Sequence, residues 1–424
     1  MQIIADLHLH SRFSRAVSPQ MTIPNMALWA AKKGIGLVAT GDWTHPMWMR
    51  EIERDLEEID SGLLKLKTGN APLFLLSTEI SCIFSQGGKG RRVHVLVWVP
   101  SVSSAKKISR EITKRGGNVL SDGRPILGLT LIQLSELVLS IEPNALLIPA
   151  HAWTPWFSVM GSMGGFTSLA EAFGPYEKQV YAIETGLSSS PDMNWRISEF
   201  DTRSIVSFSD AHSLPKLGRE ATVFELPTVT FANISLALQN YNKDVKKPHI
   251  VKTIEFYPEE GKYHYTGHRA CNIRLTPEEV VKKGSTCSVC GKPLTQGVMQ
   301  RIEQIATRPP RQTRLSRPPF TMLVPLVEII SEAIGSPVAS PKVAIHYEKL
   351  IANCQSEFHI LMDEDIKKIA SLSTPQIADG VGKVRSGDIV IDPGYDGVFG
   401  VVRIWKSEKD KELVSSTGEQ IGIF

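Results

Sequence analysis

Met1-Gln-Ile-Ile-Ala-Asp-Leu-His-Leu-His10 opens the chain, and its reading decides the fold. Ile3 and Ile4 make an apolar start, after which Asp6, His8 and His10 alternate strictly with leucines. A strand has a side-chain period of two, so His8 and His10 project from one face. Two imidazoles side by side on a rigid face are ready metal ligands. The same pair would also fit an edge strand with two surface histidines, so the decision rests on where the other histidines fall.

They fall at the ends of apolar runs. Residues 1 to about 225 alternate short apolar runs with amphipathic stretches, the pattern of a parallel sheet with crossover helices. The runs are residues 2–5, 36–40, 73–77, 93–99, 145–149, 180–183 and 205–208. Thr22-Ile-Pro24 predicts a helix start, and further helices are expected over 46–63, 104–115, 129–140, 167–173 and 193–200. Seven strands with intervening helices fit an α/β barrel short of one unit, or an open sheet. Metal-capable residues sit at or just past these runs: His8 and His10, Asp42 and His45, Glu79, His151, Asp210 and His212, with His94 inside its run. Six of the eleven histidines lie in the first 212 residues, all at such positions. Because the carboxyl ends of barrel strands form one face, these residues are expected to converge on a multinuclear metal site. Imidazole and carboxylate suit zinc, manganese or iron, and such a site can clamp a phosphodiester and activate water. Asp6, one strand period before His8, reads as a group that orients a ligand histidine.

The pieces Asp6-Leu-His8-Leu-His10-Ser, Gly41-Asp42, Thr78-Glu79, Val93-His94-Val, Ala150-His151-Ala and Ser209-Asp210-Ala-His212, in this order, resemble the polymerase-and-histidinol-phosphatase (PHP) family of metal-dependent phosphoesterases. The resemblance implies an α/β fold built on a distorted seven-stranded (β/α) PHP barrel. It implies that His8, His10, Glu79 and Asp210 hold one metal and the catalytic hydroxide on it. Glu79 would bridge to a second metal completed by His94 and His151, and His212 would serve a third. The expected cofactors are therefore two or three divalent ions, Zn2+, Mn2+ or Mg2+. The chain departs from the family pattern at Gly41-Asp42-Trp43, where Thr-Asp-His is usual, and at Arg15 and Ala16, where a further ligand is usual. Asp42 with His212, helped by His45, is the expected substitute. Trp43, Trp153 and Trp156 place aromatics beside the cluster, as core packing or as a wall for a nucleobase.

The second half carries a different chemistry. His268-Arg-Ala-Cys271 and Cys287-Ser-Val-Cys290-Gly supply four ligands in two knuckles, the spacing of a structural zinc ribbon, with His264 as the alternative histidine. Gly291 fits the tight turn such a knuckle needs. Arg308-Pro-Pro-Arg311-Gln-Thr-Arg314-Leu-Ser-Arg317 sets arginines at intervals of three in a stretch the prolines keep extended, a pattern for phosphate contacts or for a solvated linker. Residues 321–374 read as helical, over 322–334, 342–353 and 362–372. Gly380, 389–391, Gly394 and 398–405 read as a small β unit. Gln420-Ile-Gly-Ile-Phe424 echoes peptides that dock on sliding clamps.

Three domains are expected: the barrel over 1–245, the zinc ribbon over 246–306, and a basic linker with a mainly helical, DNA-binding C-terminal region over 307–424. This full layout resembles the endonuclease Q family. That implies a DNA repair endonuclease that cuts 5′ of deaminated bases (hypoxanthine, uracil, xanthine) and at abasic sites in DNA, with a sliding clamp as partner. The rival functions are a small-molecule phosphatase on the same barrel and a non-catalytic DNA- or clamp-binding scaffold. A net charge of +3 over 424 residues argues for no nucleic acid partner by itself. Only five cysteines, three of them clustered, point to a reducing compartment, and neither a signal peptide nor a membrane span is expected, so the location reads as cytoplasmic.

Overall fold

Short apolar runs buried on both faces, such as Leu37-Val-Ala39, suit the middle of a parallel sheet, and they take that place. The computed structural model describes residues 1–69, 71–310, 317–407 and 410–411. The opening strand, Gln2–Asp6 (β1), pairs in parallel with Leu37–Ala39 (β2), which pairs in parallel with Leu73–Gln86 (β3). Lys89–Val99 (β4) runs back along β3, and Leu146–Pro149 (β5) runs antiparallel to β4. Ala182–Glu184 (β6) and Ser204–Val206 (β7) form a parallel pair. A hydrogen bond from Ala152 N–H to Glu184 O (3.0 Å) links β5 to β6, and a parallel bridge between Leu9 and Ala211 links the end of β7 back to β1. One buried cluster takes a residue from each of the seven strands: Ala5, Leu37, Leu75, Leu96, Ile148, Ala182 and Val206. Phe231, Ile234 and Leu238 of the helix Phe231–Gln239 join this cluster. Alternation sends Phe74, Leu76, Val95 and Val97 to the other side, against the helices Pro46–Asp55, Val102–Lys114 and Leu131–Ile141.

The sheet continues beyond the ring through Ala221–Glu225 (β8), His249–Glu255 (β9) and Phe320–Met322 (β10), so it runs past the boundary expected at residue 245. Two other expectations need correction. The helix expected over 46–63 stops at Asp55, and Leu56–Ile59 and Leu63–Leu66 form a hairpin around Asp60-Ser61-Gly62. That turn chemistry outweighs the helical pattern. Among the described residues the C-terminal region carries five helices, Leu326–Ile334, Pro341–Asn353, Glu357–Met362, Ile366–Leu372 and Pro375–Ser386. Gly380 lies inside the last of them rather than in the β unit, which is the hairpin of Val390–Asp392 and Val401–Arg403. The molecule is thus mixed α/β, with a large central sheet and a helical C-terminal region. Among the described residues no helix is long and apolar enough to cross a membrane.

Candidate metal centre and the cavity beside it

Strand alternation carries the inward-facing column of Leu75 on to Glu79 and that of Leu96 back to His94. Past the strand ends the backbone turns sharply. Asp42, His151 and Asp210 all have positive φ (44°, 31° and 46°), a region other than glycine rarely enters and one that clusters at functional sites.

Glu79 is the hub. Its Oε1 lies 2.7 Å from His94 Nδ1, 3.0 Å from His151 Nε2 and 3.7 Å from His8 Nε2. Its Oε2 lies 3.4 Å from His10 Nε2 and accepts a bond from Arg124 Nη1 at 3.1 Å. Asp210 Oδ1 stands 3.1 Å from His10 Nε2 and 3.6 Å from His8 Nε2. Two triads result, His8/His10/Asp210 and Glu79/His94/His151, each with ligand atoms within 4.8 Å of one another.

Nε2 of His8, Nε2 of His10 and Oδ1 of Asp210 are buried and make no hydrogen bond, although they face each other. Leaving three polar atoms unpaired in one spot is costly unless a cation completes them, and imidazole with carboxylate is a donor set for divalent metals. The electrostatics agree. Burial alone would lower the His8 imidazole, but Glu184, Asp210 and Glu79 lift it to about 9. His10 is driven well above its usual range, against its burial, by Asp42, Asp210 and Glu79. Burial would raise Glu79, yet the surrounding histidines hold it well below the carboxylate range. These shifts express an excess of carboxylate that asks for positive charge. His94 differs: burial outweighs Glu79 and lowers it to about 4, which keeps it neutral, the form that can bind a metal.

The groups that hold the ligands differ from expectation. His8 Nδ1 bonds to both oxygens of Glu184 (2.9 and 3.1 Å), whose Oε2 also accepts from His151 N–H at 2.7 Å. Glu184, at the end of β6, is a site residue the sequence reading did not include. Asp6 faces no histidine nitrogen. It accepts the N–H groups of Ser209 (3.0 Å) and Gly218 (2.9 Å), pinning the segment that carries Asp210 and His212. The orienting role falls to Asp42, which takes His10 Nδ1 at 3.0 Å on one oxygen and Ser11 N–H and Ser14 Oγ on the other. Asp42 is therefore occupied as a holder and is not paired with His212. His212 lies with its ring 4.8 Å from that of His10 and its Nδ1 on the Asp210 carbonyl (2.9 Å). His45 is drawn off as the cap of Pro46–Asp55 and bonds to Leu120 O. Arg124, also unforeseen, reaches Glu79 because Gly123 passes close over Asp42; a Cβ there would lie 2.5 Å from Asp42 Oδ2.

In the second half, His268, Cys271, Cys287 and Cys290 bring their ligand atoms within 4.8 Å of one another. His268 ends the strand Thr266–His268, and its Nδ1 lies 3.4 Å from Cys290 Sγ. Gly291, at φ 72°, makes the knuckle turn, with its N–H on Cys287 O at 2.9 Å. Desolvation would raise the Cys287 thiol, but backbone N–H groups of Cys290 and Val289 together with the His268 and Cys290 side chains lower it to about 6, toward the thiolate that binds metal. His264 is elsewhere: it is buried, its Nδ1 has no partner, and burial lowers it to about 4.

His264 lines a cavity of about 430 Å³ that also meets Thr154, Trp156, Arg219, Phe256, Lys262 and Tyr263. The cavity adjoins the centre at two walls. Thr154 Oγ1 lies 3.2 Å from His151 Nδ1, and Arg219 donates to the carbonyls of Ser209 (2.8 Å) and Asp210 (3.2 Å). Trp156 is the expected tryptophan that reaches a cavity at the centre, its ring 5.2 Å from Tyr263. Trp43 and Trp153 are core residues, with their indole N–H groups on Val97 O and Asn194 Oδ1. The arginine string also divides. Arg308 and Arg317 both bind Asp201, and Arg317 also donates to Phe200 O and Arg203 O at 2.9 Å, so these two fasten the chain to the segment 200–203 instead of facing solvent. Arg311, Arg314 and the Gln420–Phe424 tail lie outside the described residues.

Taken together, the central sheet, the imidazole–carboxylate centre it carries, the Cys/His knuckle and the helical C-terminal region define a class of α/β proteins built around a metal-capable core. The chain is similar over nearly its whole length to the lesion-specific endonuclease PfuEndoQ from Pyrococcus furiosus, with 31% identity, 96% of this chain and 97% of that one covered, and a TM-score of 0.83. An Endonuclease Q structure in complex with a 27-mer duplex substrate with an abasic lesion at the active site gives 32% identity, the same coverage and a TM-score of 0.81. The uncharacterised protein YqxK of Bacillus subtilis (strain 168) is 28% identical over 418 residues, 95% of this chain and 99% of that protein. Residues 325–388 match the model of the MJ0043 C-terminal domain family. The chain belongs to the endonuclease Q family.

Proposed function

We propose that this protein is a metal-dependent DNA repair endonuclease that hydrolyses the phosphodiester 5′ of deaminated bases (hypoxanthine, uracil, xanthine) and at abasic sites. The observation that carries this reading is the buried, unpaired set of His8 Nε2, His10 Nε2 and Asp210 Oδ1 beside the Glu79/His94/His151 triad, opening on an aromatic cavity. The Endonuclease Q bound to an abasic duplex supports it as a relative of like architecture. We read the seven-strand ring as a distorted PHP barrel and the His268/Cys271/Cys287/Cys290 cluster as a structural zinc site.

His8, His10 and Asp210 would hold one divalent ion and Glu79, His94 and His151 a second, with His212 at the edge of the first group. Ions bound there supply activation of water and neutralisation of the phosphate charge. The chain does the rest. Glu184 and Asp42 fix the two histidine rings, so that Nε2 of each points inward. Arg124, with one nitrogen on Glu79, leaves its partly exposed guanidinium free to meet a phosphate oxygen. An extruded nucleotide would enter the cavity between Trp156, Phe256 and Tyr263, an environment suited to a base taken out of its stack. Thr154, Arg219, Glu260 and Lys262 line the same cavity and supply polar groups within reach of a base edge.

The test uses duplexes carrying a single deoxyinosine, deoxyuridine or abasic site, with an undamaged duplex as control, in Mn2+ or Mg2+. Nicking 5′ of the lesions and not of the control is expected. Intact lesions together with hydrolysis of p-nitrophenyl phosphate would instead establish a small-molecule phosphatase.

A further inference from the structure

A large aromatic stands in solvent at the mouth of the cavity. Phe399 is 69% exposed, yet it borders the same cavity that reaches Thr154 and Arg219 at the metal centre. It sits in the loop between Val390–Asp392 and Val401–Arg403, and that loop is fastened down. Gly394 N–H bonds to Glu259 O (2.8 Å), Gly397 N–H to Lys262 O (2.8 Å) and Gly400 N–H to Glu260 O (3.0 Å), while Tyr265 N–H returns to Gly394 O (3.0 Å). Gly400 packs so closely that a Cβ would come 2.1 Å from Glu259 O. The exposure of Phe399 is therefore built by a rigid platform shared with the cavity wall. Lys262 Nζ lies 5.5 Å from the centre of the Phe399 ring and 5.8 Å from that of Tyr263, which sets a cation beside the exposed ring.

We propose that Phe399 is a wedge: its ring enters the duplex stack at the gap left by the extruded nucleotide, while Lys262 meets the adjoining phosphate. The inference rests on reading the cavity as the seat of that nucleotide. Apolar side chains inserted between base steps unstack and bend DNA, and an aromatic ring that stacks on a neighbouring base replaces the contact the lost nucleotide made. A rigid mount suits this task, because the ring must hold its position as the duplex opens.

The experiment compares the full-length, metal-loaded wild type with Phe399→Ala and Phe399→Trp. Single-turnover nicking is measured on one abasic-site sequence, as a duplex and as a single strand, with 2-aminopurine beside the lesion to report unstacking. For Phe399→Ala the ratio of duplex to single-strand rate is expected to fall about tenfold to a hundredfold, the scale of one base–aromatic stack. The 2-aminopurine rise on duplex binding should be lost, and Phe399→Trp should restore both. An unchanged ratio in Phe399→Ala, whether both rates hold or both fall together, overturns the wedge and leaves the endonuclease reading standing. If wild type cuts neither form, the endonuclease reading itself fails.

Discussion

The two metal-capable clusters of this chain are built in opposite ways. The centre in the ring draws the groups that could hold a metal from residues 8 to 210, from the middle of β3 and β4 and from turns past other strands, and nearly all are buried. Four of the six are held by the protein itself: His8 by Glu184, His10 by Asp42, His151 by Thr154, Glu79 by Arg124. The knuckle cluster takes all four ligands from residues 268–290, with Cys290 exposed, over a core of only Leu275, Val280, Cys287 and Leu294 with Cys271 and Ile273 packed against it. A large scaffold can hold a site in shape before any ion arrives, whereas a unit with so small a core depends on its ion for folding.

Replacing Cys287 with Ser is the strongest test of that contrast. Structural zinc in small domains contributes on the order of 10 kcal/mol, so the variant should lose one ion per chain and hydrogen-exchange protection around residues 264–294. Strands β3 and β4 should keep theirs, and equal loss in both regions would break the contrast. His8→Ala acts on the other side of it. Removing a ligand from a site that activates water and stabilises phosphate charge should slow nicking of a deoxyinosine duplex by about a thousandfold or more. The melting temperature should stay close to that of wild type, because the ring holds the site without it. Should His8→Ala or Glu79→Ala cut as fast as wild type, the metal assignment is wrong.

The contrast also explains what could be read in advance. His8, His10, Glu79, His94, His151 and Asp210 were legible because alternation and strand ends fix where a side chain goes. The knuckle was legible because its spacing is local. Asp42 takes the orienting role expected of Asp6, because its direction is set by a turn at φ 44° that no periodicity records. Glu184 ends a strand, but no neighbouring histidine marked it. Trp43 and Trp153 look like Trp156 in sequence, and only the packing separates core from cavity wall. Arg308 and Arg317 sit among prolines that suggest solvent, yet both meet Asp201, a partner more than a hundred positions away.

A ring that holds its own shape can also bear unfavourable groups behind the centre. Glu255 is fully buried and binds Ser207 Oγ–H, and burial raises its carboxyl to about 7. Between the ordinary value of 4.5 and about 7 the folded chain keeps a proton that the unfolded chain releases. Stability from this group is thus full below pH 4.5 and is lost as pH rises through 7. Glu255→Gln, which cannot ionise, should stabilise the protein at pH 8 by up to about 3 kcal/mol, with the gain vanishing below about pH 4.5. Thermal melts across that range measure it, and a gain independent of pH would refute it.

The smallest effect should come from Glu184→Gln, and it separates holding a ligand from being one. Gln keeps a side-chain oxygen for His8 Nδ1–H and for His151 N–H, but removes the charge that helps lift His8 to about 9. Loss of such an orienting carboxylate typically weakens metal affinity or activity about tenfold to a hundredfold. Raising Mn2+ in the nicking assay should recover much of that loss, because the ligands themselves remain. His8→Ala should recover nothing under the same titration. Identical metal dependence in the two variants would mean that Glu184 belongs to the ligand set and that the scaffold does less of the holding than its hydrogen bonds suggest.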